Sequence, residues 1–135
     1  MSTEISFSTE YRYKEHADGI TIMITLSYGE TSIHTQAKVD TGAEVCIFSN
    51  EIGMNLGIPN EQGIPRRFSS LGGVVEAFGH EVMIQTGEMA FQSLVYFAKY
   101  PGLPRNLLGR QGWLRNLKLA VIDYDNLLYL NAYDV

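Results

Sequence analysis

The chain has 135 residues, enough for one domain with a real buried core, and its 45% hydrophobic and 19% charged content excludes disorder and low complexity. A formal net charge of −5, with basic residues scattered rather than clustered, excludes a phosphate-binding surface, so no nucleic-acid partner is expected. Cys46 is the sole cysteine, which rules out an intrachain disulfide or a thiolate metal cluster and fits a reducing compartment.

In chain order, Met1 to Glu10 shows no basic segment followed by an apolar one, and no apolar run reaches membrane-spanning length. A cytoplasmic protein with no membrane partner is expected. Ile5 to Tyr13 alternates weakly and reads either as an edge strand or as an arm reaching a partner, with a turn at Asp18-Gly19. Ile20, Ile22, Ile24 and Leu26 alternate strictly, and Tyr28-Gly29-Glu30 turns the chain into Ile33 to Val39, a hairpin that delivers Asp40 at a strand end. After the apolar run Val45 to Phe48, Ser49 is placed to cap a short helix ending at Leu56, with Gly57 behind it and Pro59 beyond.

Asn60 to Arg67, with Gly63 and Pro65, reads as a loop in which Arg66-Arg67 are solvated turn residues. Phe68 to His80 reads as a hairpin with Gly72-Gly73 at its tip. Val82 to Ile84 and Phe91 to Phe97 read as strands around a turn at Thr86-Gly87-Glu88, and Tyr100 to Arg105, with two prolines, as a loop. Trp113, Leu114 and Leu117 mark the apolar stripe of a short helix, and a last pair of strands, Lys118 to Ile122 and Leu127 to Leu130, is joined by Asp123-Tyr124-Asp125-Asn126. The whole, residues 1–135, is expected to be a single all-β domain with one or two short helices.

Val39-Asp40-Thr41-Gly42-Ala43 carries the chemistry, because it sets one carboxylate on a tight turn after a strand. Peptide hydrolysis by carboxylates needs two of them sharing a proton, since like charges at that distance cannot both ionise. A second copy of the tripeptide is found at Gln85-Thr86-Gly87, but there the acid is replaced by an amide that cannot carry the proton. The missing carboxylate is therefore expected from a second identical chain, whose Asp40 would meet the first across a two-fold axis. His16, His34 and His80 have no nucleophile or metal-like spacing around them, and Asp123 and Asp125 read as turn carboxylates bonded to nearby backbone.

Three landmarks in order, Asp40-Thr41-Gly42-Ala43, Leu71-Gly72-Gly73-Val74 and Pro104-Arg105-Asn106-Leu107-Leu108-Gly109-Arg110, resemble those of the retropepsin family over about Ile20 to Leu117. These are the homodimeric aspartic proteases typified by retroviral proteases. The resemblance implies a closed β-barrel or sandwich, an aspartic endopeptidase with one Asp40 from each subunit, a peptide or protein substrate, and no metal or cofactor. One carboxyl would act as base toward water and the other as acid toward the scissile carbonyl. Thr41 would bond across the dyad, and Gly42 would let substrate backbone approach. Ala43, Glu44, Leu71, Gly72, Gly73, Val74, Arg105 and Leu107 would bind substrate, and Glu44 would form a structural ion pair with Arg110.

Two departures from the family pattern stand out. Arg105 is polar where an apolar residue is common, and Lys118 to Leu130 makes a longer hairpin where the viral enzymes have one short strand, so the dimer interface is expected to be built differently. A rival expectation keeps the fold but makes it an inactive peptide-binding or dimerisation module.

Overall fold

A computed structural model describes residues 2–15, 19–70 and 73–135. His16, Asp18, Leu71 and Gly72, named above, lie outside the described residues.

The described residues form strands β1 (Thr9–Arg12), β2 (Thr21–Tyr28), β3 (Thr31–Val39), β4 (Ile47–Phe48), β5 (Ile64–Ser70), β6 (Gly73–Thr86), β7 (Met89–Ala98), β8 (Leu107–Leu108), β9 (Leu117–Ile122) and β10 (Leu127–Ala132), with one α-helix among them, α1 (Asn50–Asn55). Seven strands form a sheet in the order β2-β3-β8-β4-β7-β6-β5, and β2 also pairs with β6, which closes the sheet on itself and leaves β5 hanging on β6. The all-β, closed-barrel architecture expected from the sequence is present.

The strict alternation of β2 explains its place in the barrel. Ile22, Ile24 and Leu26 are fully buried while Met23 between them is exposed, and Ile84, Val95, Phe97, Leu108 and Trp113 fill the same core. Both long hairpins turn on Gly-Glu, with Gly29 and Gly87 at positive φ immediately after the last strand residue. The helix forms where its cap is read: Ile52 N–H donates to Ser49 Oγ (3.3 Å), and Gly57, at φ +79°, ends it.

Two segments differ from expectation. Asn60 to Arg67 is not a loop throughout, because Asn60–Gln62 is a 3-10 turn and β5 already starts at Ile64. A strand survives Pro65 here because β5 is an edge strand, so the missing N–H falls on its unpaired side. The helix expected around Trp113 shrinks to one 3-10 turn, Leu114–Asn116. Gly112 at φ +98° breaks the helical run, and Trp113 is instead held in the core, its indole N–H donating to Thr86 Oγ1 (3.1 Å).

β1, β10 and β9 form a separate three-stranded antiparallel sheet, which settles the first strand as a strand paired to the C-terminal hairpin of its own chain. Buried Tyr13 donates its hydroxyl to an Asp123 carboxylate oxygen and so fixes the β9-β10 turn, where Asn126 adopts φ +56°. Burial and the adjacent carboxylate push the Tyr13 pKa up to about 12.

Candidate active site

Asp40 sits one residue past the end of β3, held from two sides. Val39 N–H donates to Ile20 O (2.8 Å) and Asp40 N–H donates to Leu108 O (3.0 Å). The chain then reverses: Ala43 N–H donates to Asp40 O (3.1 Å), and Gly42 N–H donates to Asp40 Oδ1 (3.0 Å). A short acid thus bonds the backbone two residues on, the turn chemistry that Asp favours. Asp40 is half-buried, whereas Thr41 and Gly42 are exposed.

The segment after β8 braces this loop backbone to backbone. Arg110 N–H donates to Ala43 O (2.9 Å), Gln111 N–H donates to Glu44 O (2.9 Å), and Val45 pairs with Gln111 in a parallel bridge. Gly109 is required by contact rather than by dihedral angle: a Cβ there would lie 2.2 Å from Val45 O and 2.8 Å from Ala43 O. The expected Asp40 motif and the Leu107 to Arg110 motif are therefore brought together as one unit.

Two residues outside the expected set complete the brace. Asn106 donates its amide N–H to Gln36 O (2.9 Å) and Thr35 Oγ1 (3.3 Å) while its Oδ1 accepts from Ser49 N–H (2.9 Å), tying β3 to the start of α1. Buried Cys46 accepts from Gly109 N–H (3.4 Å) and donates to Gln111 O (3.6 Å). Desolvation lifts its pKa to about 12 against the smaller opposing pull of the Gly109 N–H, so the thiol stays neutral and structural.

Glu44 does not pair with Arg110. Its carboxylate accepts from Arg66 of β5 at 2.7 Å, while Arg110 is exposed and contributes its backbone to the loop. Arg66 wins because it is prepositioned: its guanidinium lies over the rings of Phe68 (4.8 Å) and Tyr96 (5.6 Å), within reach of the Glu44 oxygen. The hydrogen bond to Glu44 first, then the Tyr96 hydroxyl, raises the Arg66 pKa further. Arg66 is thus no solvated turn residue.

The remaining expected groups are dispersed. Leu107 is half-buried on β8, opposite Lys38 and Ile47. Gly73 and Val74 are exposed at the start of β6, and Val74 lines a depression of about 240 Å³ with Val75, Tyr100, Leu103 and Pro104. Arg105 is half-buried beside Thr35, Gln36 and Lys38. The Gln85-Thr86-Gly87 near-copy lies at the β6-β7 turn, with Thr86 buried under Trp113. His80 bonds the Asn60 carbonyl (2.8 Å) and His34 bonds Thr25 across the β2-β3 pair (2.7 Å).

Compared with known proteins, the chain matches no protein-family model and no curated sequence. Solved structures do match. A retropepsin-like aspartic protease from Rickettsia conorii superposes with a TM-score of 0.64 at 20% identity, over 90% of this chain and 98% of that one. EIAV protease, in complex with an inhibitor, superposes with a TM-score of 0.51 at 22% identity, over 67% of this chain and 80% of that one. The chain has the retropepsin fold.

Proposed function

We propose that this protein is an aspartic endopeptidase that acts as a homodimer, with Asp40 from each subunit forming the hydrolytic dyad. The observation that supports it is the Asp40 turn locked onto Leu108 to Gln111 within a retropepsin fold, presenting one fixed carboxylate beside exposed Thr41 and Gly42. A lone carboxylate cannot serve at once as base toward water and as acid toward the scissile carbonyl. Glu44, the nearest acid in the loop, is engaged by Arg66. Two Asp40 side chains within hydrogen-bond reach would share one proton, so that one carboxyl serves as base and the other as acid without a metal.

In this reading residues 1–135 act as one domain, and Thr41 bonds across the two-fold axis. An extended peptide lies between the Asp40 loop and the β5-β6 hairpin. Gly42 and Ala43 form the floor, Leu71 to Val74 cover the substrate backbone, and Leu107 and the Val74 to Pro104 depression receive side chains. Arg105 tunes preference at the margin. The partners are a second copy and a peptide or protein substrate, with neither nucleic acid nor membrane; among the described residues no helix is long and apolar enough to cross a bilayer.

The test is Asp40→Asn. It keeps the turn's hydrogen-bond acceptor but not the titratable group, so hydrolysis of an unstructured protein substrate should fall to background with the circular dichroism spectrum and dimerisation retained. Cleavage by that variant at the wild-type rate would overturn the assignment. Binding without cleavage by the wild-type protein from pH 4 to 8 would favour the inactive binding module instead.

A further inference from the structure

Between the Asp40 loop and the root of the β5-β6 hairpin lies a small hydrophobic cluster distinct from the main core. Val45 and Ile47 enter it from the loop side, Ala77 and Phe68 from the hairpin, and Tyr96 from β7. Phe68 and Tyr96 meet edge to face, with ring centroids 5.2 Å apart. Arg66 closes its rim. The guanidinium lies over both rings and reaches Glu44 at 2.7 Å.

The two halves of this contact belong to different parts of the site. Glu44 is three residues beyond Thr41, and its backbone carbonyl is held by Gln111. Arg66 is on β5, paired with Ala77 of β6, so it moves with the hairpin. A solvent-side ion pair by itself contributes little. Here the same side chain also stacks on two rings that are themselves buried or half-buried, so the arginine's geometry is set before Glu44 is met.

We propose that Arg66 is a positioning residue that clamps the hairpin root to the Asp40 loop through Glu44, so that the distance between the two walls of the substrate groove is fixed before a peptide arrives. Arg66 touches no reacting atom in this scheme. It acts through Glu44 and through the Phe68-Tyr96 pair. Its functional part rests on the protease reading, and its structural part does not.

The test uses the full chain. Hydrogen exchange, followed without substrate at the amides of residues 64, 66–69 and 74–79, compares wild type with Arg66→Met, Glu44→Gln, the double variant, and Arg67→Met as a neighbouring control. Arg66→Met should speed exchange at these amides about fivefold, as expected for losing an exposed ion pair together with a cation-π contact. Glu44→Gln should do the same to a smaller extent, the double variant should match Arg66→Met rather than the sum, and Arg67→Met should match wild type. In the kinetic arm Arg66→Met should raise KM about fivefold with kcat little changed, because loss of prior positioning weakens ground and transition states alike.

Wild-type exchange in Arg66→Met, or additive effects in the double variant, would overturn the clamp. Faster exchange with an unchanged KM in an active enzyme would overturn its positioning role. A wild-type protein that hydrolyses nothing leaves the exchange result standing and counts against the protease reading alone.

Discussion

Gly109 and Cys46 show how single residues hold the loop that carries Asp40. Gly109 lets two backbones touch, and a methyl group there would collide with carbonyl oxygens that cannot rotate away. Gly109→Ala should therefore lower unfolding free energy by about 3 kcal/mol, read from chemical denaturation, and should reduce hydrolysis even in molecules that remain folded. Cys46 predicts a pH dependence. Its ordinary pKa of 9.0 rises to about 12 when folded, so the stability it contributes is complete below pH 9 and is withdrawn as pH climbs to about 12. Tyr13, raised from 10.0 to about 12, adds to the same alkaline loss. Stability measured from pH 8 to 12 should fall steeply in wild type and less steeply in Cys46→Ala, even though that variant starts lower because of the cavity it leaves; equal slopes would refute the assignment.

At the scale of elements, the hairpins were readable because period-two alternation and Gly-Glu turns state the same thing twice. The turn at Asp40 is legible because its tripeptide follows such a strand. What stayed hidden was set by partners distant in sequence. β5 begins through Pro65 only because it is an edge, and the turn at Trp113 is decided by a hydrogen bond to Thr86, 27 residues earlier. The sequence points to Arg110 as the partner of Glu44, whereas the fold brings Arg66 there over two rings that lie distant in sequence from Glu44. The role of Asn106 is set by Gln36, Thr35 and Ser49, all distant in sequence, so its place between Arg105 and Leu107 does not disclose it. Asn106→Ala should cost about 2 kcal/mol, since it leaves Ser49 N–H and Gln36 O without their partner. Loss of protection in amide exchange should appear first at α1 and β3; a uniform loss across the barrel would contradict this local role.

For the molecule as a whole, closure of the sheet by the β2-β6 pair leaves the Asp40 loop braced on a barrel while β1, β10 and β9 form their own sheet. The first strand pairs within its own chain, so a dimer of this protein cannot use β1 and β10 as free ends exchanged between subunits without breaking that sheet. In the proposed function two Asp40 carboxylates, one from each of two chains, make one hydrolytic site. Mixing wild type with Asp40→Asn at constant total concentration, after subunit exchange, tests it most directly. If each active site needs both carboxylates, an equal mixture should retain about a quarter of the wild-type rate, because only the dimers of two wild-type chains are active. A rate of about half, proportional to the wild-type fraction, would mean that each chain works alone and would contradict the account.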